Sequence, residues 1–395
     1  MPRNAGVDVA GQGESRICAR EIARAQTLVA DREPALREAA TWDDVVLQMQ
    51  SEDQEHTAVL LRDGAVVAAV TDDPTPVAGC TSTPLGTMRY HAVCASFLLE
   101  LHRDARGRVD FGSLPIVDYG PRDGLQNEPG FVATETKVAL IDLLSDTGLT
   151  RIEAASFVSP KWVPQMADAA EVMAAIHRRP GIRYAALTPN MQGFQAAQAA
   201  RADEVAIFAS ASEGFSRRNI NCSIAESLAR FEPVAQAARA AGIPLRGYVS
   251  CVVECPYDGA VAPEAVRRVT QALLDMGCYQ VSLGDTIGRA GPDDIDRLLA
   301  HLGAAIDPVR LAGHFHDTGG RALENVAAAL DHGLRTFDSA IGGLGGCPYA
   351  PGARGNVSTL PLARMLADAG WDTGLDLGLL ARAEAFMATL KAESA

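Results

Sequence analysis

The feature that most constrains this chain is a rhythm that begins near Leu114. From there, short apolar segments of β character alternate with Ala- and Leu-rich amphipathic stretches. The strand candidates are residues 115–119, 151–154, 183–187, 204–208, 244–250, 278–283, 310–314 and 335–339. Between them, residues 134–147, 224–241, 263–276 and 292–302 carry the apolar spacing of helices. Gly148, Gly242, Gly277 and Gly333 punctuate the junctions. Eight strands alternating with helices over about 250 residues predict a (β/α)8 barrel. The rival is a doubly wound sheet, which wants a Gly-rich nucleotide turn after its first strand. The turn here, Gly120-Pro-Arg-Asp-Gly124, carries a proline and two adjacent charges instead, which suits a dinucleotide poorly.

At 395 residues the chain is longer than one such barrel needs. Residues 114–395 are assigned to the barrel, with an appended C-terminal helix over 375–391. Residues 1–113 are assigned to an accessory segment, either a small α+β unit or a partly ordered extension. Within it, 15–50 reads as helical and charged, and 57–61 and 65–70 as a hairpin around Arg62-Asp63-Gly64. Residues 72–86 are rich in Pro, Thr and Gly, and 88–102 are apolar and helix-like.

Composition narrows the partners. With 35 basic and 49 acidic residues the net charge is -14, which argues against nucleic acid, because phosphate binding needs a basic face. No apolar run reaches the ~20 residues that span a bilayer. The first residues lack an apolar signal core and carry Asp8 and Glu14, so a cytoplasmic, bacterial location is expected. The eight cysteines, Cys18, Cys80, Cys94, Cys222, Cys251, Cys255, Cys278 and Cys347, form no C-x-x-C pair and read as reduced thiols.

In a barrel of this kind chemistry collects where strands end. Arg122 and Asp123 follow the first strand, where they can pair with each other or serve a ligand. Glu153 closes the second strand with Ser156 beyond it, and Asp285 closes the sixth; a carboxylate there needs a cation, a metal or several hydrogen bonds. The seventh ends in Gly313-His-Phe-His-Asp317. Residues i and i+2 of a strand share a face, so His314 and His316 point together, as two metal ligands or as two hydrogen-bonded structural histidines. After the eighth strand a Gly-rich loop carries Cys347 and Asn356. Its glycines suit a loop that moves or approaches a ligand closely, and its thiol, titrating near ~8.5 when free, suits a proton donor. Mixed oxygen and nitrogen donors favour Mg²⁺ or Mn²⁺ over Zn²⁺.

Several long motifs then occur in order: Asp118-Tyr-Gly-Pro-Arg-Asp-Gly-Leu-Gln-Asn-Glu128, the run Ile152–Met166, Asn219-Ile-Asn-Cys-Ser223, Ser282-Leu-Gly-Asp-Thr-Ile-Gly288 and the Cys347 loop. Over residues 115–390 the chain resembles the 3-hydroxy-3-methylglutaryl-CoA lyases of the metal-dependent acyl lyase and synthase superfamily. The resemblance implies a carbon–carbon lyase of the oxo-acid-lyase class, producing acetyl-CoA and acetoacetate as in leucine degradation. It implies a divalent metal on Asp123, His314, His316 and Asn356, and no organic cofactor beyond the CoA substrate. It makes Arg122 the stabiliser of the enolate oxygen, Cys347 the catalytic thiol, and Glu153 and Asp285 acid–base or orienting groups. Arg122, Gln126 and Ser156 are expected to contact substrate, Arg217 and Arg218 either to meet CoA phosphates or to be a solvated pair, and the protein to be a dimer or tetramer. The alternatives are a longer-chain 3-hydroxy-3-alkylglutaryl-CoA, a sister aldolase or condensing synthase, or a non-catalytic barrel.

The chain also departs from the family pattern. Asp118 stands where Glu is expected, and Val357-Ser-Thr-Leu-Pro361 lacks an acidic pair around Leu360 and Pro361. Arg354 replaces a small residue, Pro129 a lysine, and Gly214 a bulkier side chain.

Overall fold

The computed structural model describes residues 116–126, 128, 130–345 and 355–394, together with the backbone of four strands nearer the N-terminus. The chain divides into two compact units, Met1–Ser96 and Phe97–Ala395.

In the first unit, strands β1 (Arg16–Cys18), β2 (Val45–Glu52), β3 (Glu55–Arg62) and β4 (Ala65–Val70) form an antiparallel sheet in the order β1-β2-β3-β4. The expected hairpin is present as β3 and β4, although most of its turn, with residues 72–86 and 88–102, lies outside the described residues. The helical reading of 15–50 is corrected for its two ends. Val45, Leu47 and Met49 alternate with Gln48 and Gln50, a period of two, and the segment pairs with β3 from Val45↔Arg62 to Glu52↔Glu55.

The second unit contains the barrel. Strands β5 (Ile116–Asp118), β6 (Arg151–Ser156), β7 (Arg183–Leu187), β8 (Glu204–Ser210) and β9 (Leu245–Ser250) are followed by a small hairpin, β10 (Glu254–Cys255) with β11 (Gly259–Ala260). Strands β12 (Gln280–Asp285), β13 (Leu311–Phe315) and β14 (Thr336–Ser339) complete a closed ring in which every neighbouring pair is parallel and β14 returns to β5. All eight expected strands are present, and the helices Ile224–Ala241 and Pro263–Met276 keep their expected bounds.

Local chemistry explains those bounds. Ser223 and Glu226 form a reciprocal capping box at the start of Ile224–Ala241, and Gly242 ends it at φ 66°. Pro263 opens the next helix at the position that lacks a needed N–H, and Gly277 closes it at φ 113°. The final helix runs Leu377–Ser394, two residues later than expected. Among the described residues no helix is long and apolar enough to cross a membrane, and Cys222, Cys251, Cys255 and Cys278 are not joined in disulfides.

Helices and strands share one apolar core on the outer face of the sheet, where Ile152, Val205, Val249, Val281, Phe315 and Phe337 lie buried. The inside of the barrel is different. Such lumens are usually filled by branched apolar residues. Here Arg151, Glu153, Glu204, Arg246, Gln280 and Asp338 are all buried, held by ion pairs such as Arg246–Asp338 at 2.9 Å and Arg151–Glu204 at 3.5 Å. Burying a charge without a partner costs several kcal/mol, so these side chains have definite positions.

Two local expectations change. Strand β6 continues to Ser156, so Glu153 sits within the strand and faces the lumen; the register with β7 shifts at Ala154, and Ala155 and Ser156 extend the pairing past it. The turn after β5 is a wound five-residue π-type helix, Gly120–Gly124, in which the Gly124 N–H donates to the Tyr119 carbonyl at 3.0 Å.

Candidate active site

The tight winding of Gly120–Gly124 delivers two adjacent charges to one place. Arg122 donates from Nη1 to Asp123 Oδ1 at 2.7 Å, so the two do pair. Arg122 also bonds Glu153 through Nε and Nη2. Gln126 donates to Asp123 Oδ1 at 3.0 Å, so its amide orients Asp123.

Two strands away around the barrel, beyond β14, β13 carries His314 and the chain just beyond carries His316, their ring centroids 5.5 Å apart. Phe315 turns into the outer core, as the alternation requires. Asp123, His314 and His316 each offer a ligand atom, and these atoms all lie within 4.8 Å of one another. Asn356 joins them on a short extended return segment. That segment bridges His316 and takes hydrogen bonds between Val357 N and Phe315 O at 2.9 Å and between Asn356 N and Leu344 O at 3.0 Å. Its Nδ2 donates to Asp123 Oδ2 at 2.8 Å and to the Leu344 carbonyl at 3.1 Å.

The donor set fits a divalent cation. With its amide nitrogen committed, Asn356 has a buried Oδ1 with no hydrogen-bond partner, and so has His316 at Nδ1. Leaving two buried polar atoms unpaired is costly, and a cation between them and Asp123 satisfies both. His314 holds Asp338 Oδ2 through Nδ1 at 3.1 Å. Ligand histidines are commonly oriented in this way. Burial, reinforced by His314, lowers the His316 pKa to about 4, which keeps the ring neutral as a ligand must be. Burial raises Asp123, but Arg122 with His314 and His316 pulls its carboxyl below the ordinary value.

Glycine is required beside this cluster. Gly345 has φ 94°, and a Cβ there would lie 2.5 Å from Asn356 Nδ2 and 3.1 Å from Asp123 Oδ2. The Gly-rich loop therefore starts against the cluster itself. Cys347 and Arg354, farther along it, lie outside the described residues, as does Pro129.

The remaining expected residues are distributed as follows. Glu153 faces the lumen beside Arg122; burial pushes its carboxyl up to about 7 despite that arginine, whereas the pair holds the Arg122 guanidinium charged. Ser156 is buried and its Oγ has no partner. Asp285 is not among the three clustered side chains. Its carboxylate accepts from the backbone N–H groups of Ala290 at 2.9 Å and Arg289 at 3.3 Å, which folds the loop after β12. Arg217 is exposed and forms a 3.8 Å pair with Glu213, and Arg218 lies over the Tyr257 ring at 5.5 Å.

Three departures find physical matches. Asp118 accepts from Thr359 Oγ1 at 2.6 Å and from Gly120 N at 2.7 Å, while Leu360 is buried in the apolar core where a charge would lack a partner. At Gly214, a Cβ would lie 2.2 Å from Asp258, whose carboxylate takes the Gly214 N–H at 2.7 Å.

Four residues of the site were not singled out in the sequence: Tyr119, Arg246, Tyr248 and Asp338. The Tyr248 hydroxyl lies 3.1 Å from Glu153 Oε1 and 2.8 Å from the Tyr119 hydroxyl, Arg246 bonds Tyr119 and Asp338, and Asp338 also accepts from Ser282. The signal available was polar residues at alternate positions of apolar strands, Arg246 with Tyr248 and Thr336 with Asp338.

The comparisons agree with this geometry. The chain matches the HMGL-like family over residues 113–387. It is 56% identical over 272 residues to a mitochondrial hydroxymethylglutaryl-CoA lyase of Bos taurus, covering 69% of this chain and 84% of that one. It is 54% identical over 270 residues to the hydroxymethylglutaryl-CoA lyase of Pseudomonas mevalonii, covering 68% of this chain and 90% of that one. The crystal structure of the HMG-CoA lyase from Brucella melitensis superposes with a TM-score of 0.70 at 58% identity, over 70% of this chain and 98% of that one. A match of that length, carrying the eight-stranded barrel and its Asp–His–His cluster, establishes that the chain belongs to the HMGL-like family.

Proposed function

We propose that this chain cleaves 3-hydroxy-3-methylglutaryl-CoA to acetyl-CoA and acetoacetate. The observation that carries the reading is the joining of Arg122 to the Asp123–His314–His316–Asn356 cluster, in a chain of this family. Asp123, His314, His316 and Asn356 would hold a divalent cation, Mg²⁺ or Mn²⁺ by the hardness of the donors. Such an ion supplies a Lewis acid that lowers the pKa of the substrate's 3-hydroxyl.

The hydroxyl proton passes to solvent water and the C2–C3 bond breaks. The 3-carbon becomes the ketone of acetoacetate, and the electron pair moves into the thioester enolate. The enolate carbon then takes a proton to give acetyl-CoA. Arg122 has five N–H groups; three are used, by Glu153 at Nε and Nη2 and by Asp123 at Nη1, which leaves two for the enolate oxygen. Glu153 fixes the guanidinium in place, so that stabilisation is available as charge develops. Ser156 offers a buried hydroxyl for substrate. Asp285 acts through its loop, and Cys347 is the proton donor to the enolate, a step typically worth ~10²–10⁴ in rate.

The barrel domain acts as a dimer or tetramer in the cytoplasm, with residues 1–113 as a separate accessory segment. The test is to mix purified protein, Mg²⁺ or Mn²⁺ and the substrate, and to follow acetoacetate. Absence of product while the metal is bound sinks the assignment. Replacing Cys347 with Ala should lower turnover at unchanged metal affinity.

A further inference from the structure

Tyr119 lies directly between the two halves of the site and is 1% exposed. Its ring is 5.5 Å from the Arg122 guanidinium and 5.7 Å from the His314 ring. Its hydroxyl takes a hydrogen bond from Arg246 Nη1 and lies 2.8 Å from the Tyr248 hydroxyl. Tyr248 in turn lies 3.1 Å from Glu153 Oε1.

Counting hydrogens assigns the direction of this chain. Tyr248 has one proton for two neighbours, and an ionised Glu153 has none to give. The Tyr248 proton therefore goes to Glu153. Tyr119 already accepts from Arg246, so its own proton goes to Tyr248. Each phenol then accepts one hydrogen bond and donates one; the series Arg246, Tyr119, Tyr248, Glu153 runs in a single direction, and Arg122 donates to Glu153 from the other side. With Tyr119 removed, Arg246 loses that acceptor, and the Tyr248 hydroxyl keeps Glu153 as its acceptor but loses the hydrogen bond that fixes and polarises it from behind.

We propose that Tyr119 is a positioning residue, which fixes and polarises the Tyr248 hydroxyl that donates to Glu153 and thereby keeps Glu153 clamped on one edge of Arg122. The two remaining N–H groups of Arg122 then stay aimed at the developing enolate. The Tyr119 hydroxyl is committed to Arg246 and Tyr248, so it acts through them. The same Arg246 also pairs with Asp338, which orients His314, so one buried cation anchors both the Arg122 arm and the histidine arm.

The inference rests on the proposed lyase reading, and its test separates the two. Wild-type protein that releases no acetoacetate overturns the reading itself. If wild type turns over, Tyr119→Phe is expected to lower kcat about tenfold, the scale of one ordinary hydrogen bond. KM should stay within about twofold and Mn²⁺ affinity, followed by the electron-spin signal of the unbound ion, should not change. Because Tyr119 acts through Tyr248, Tyr119→Phe should cost little further kcat in a Tyr248→Phe background. 3-Fluorotyrosine at position 119, which keeps the hydroxyl, should retain kcat and serves equally if the Phe variant folds poorly. Costs that multiply in the double variant, a kcat unchanged by Tyr119→Phe, or a tenfold loss of Mn²⁺ affinity would each overturn the assignment.

Discussion

Replacing Asp338 with Asn tests how the lumen holds the candidate metal centre. The substitution keeps shape and removes one charge. Asp338 is buried, pairs with Arg246 at 2.9 Å, accepts from His314 Nδ1 at 3.1 Å and accepts from Ser282. Burial raises its pKa, but Arg246 and His314 outweigh that and hold the carboxyl below the ordinary value, so the charge is present at neutral pH. Without it Arg246 remains buried beside two tyrosines. Breaking a buried pair on one side typically costs about 3–5 kcal/mol. At about 2–4 °C per kcal/mol for a domain of this size, Tm should fall by roughly 6–20 °C in metal-free protein. A second readout addresses His314. Removing the partner of a ligand histidine usually weakens metal binding about 10–100-fold, or ~1.4–2.7 kcal/mol. Scanning calorimetry of the metal-free variant and Mn²⁺ titration by isothermal calorimetry give the two numbers. A Tm within about 2 °C of wild type refutes the account of the Arg246 pair. A lower Tm with unchanged Mn²⁺ affinity refutes the account of His314.

Two further predictions concern pH. Burial raises Glu153 to about 7, so kcat/KM should fall on the acid side of pH 7 as Arg122 loses its anionic partner; Glu153→Gln should lower the plateau and abolish that limb, and an unchanged limb in the Gln variant assigns it elsewhere. Asp285 is raised to about 6, chiefly by burial, with Ala290 and Arg289 opposing. An acid with its folded pKa above its unfolded value binds the proton more tightly when folded, so its ionisation weakens the fold. That cost is absent below about pH 4 and complete above about pH 6. The stability of Asp285→Asn relative to wild type should therefore improve by ~1 kcal/mol or more between pH 5 and pH 7.5 in denaturant titrations, and a constant difference contradicts the burial argument.

Much of the site was legible because strand geometry is local. The two-residue spacing of His314 and His316 places both rings on one side and sends Phe315 to the other, whatever surrounds them. The alternation of strand and helix likewise specifies the barrel, since parallel neighbours need a crossover of this length. The same reasoning misread 15–50, where a short period-two run was absorbed into a longer charged stretch, and it put Glu153 at a strand end because the small residues after it carry little β signal.

What the tertiary structure alone decided is which distant residues meet. Asn356 reaches Asp123 across 233 positions, Thr359 reaches Asp118 across 241, and Arg246 reaches Tyr119 across 127. No periodicity encodes such pairs, because they follow from closure of the ring between β14 and β5. By itself the sequence determined the barrel, the family and the side chains able to bind a cation. Closure decided that a buried arginine and two tyrosines stand behind Arg122. The physical reason is the cost of burying charge: each lumen residue must be paired, and only the closed barrel brings the partners within reach.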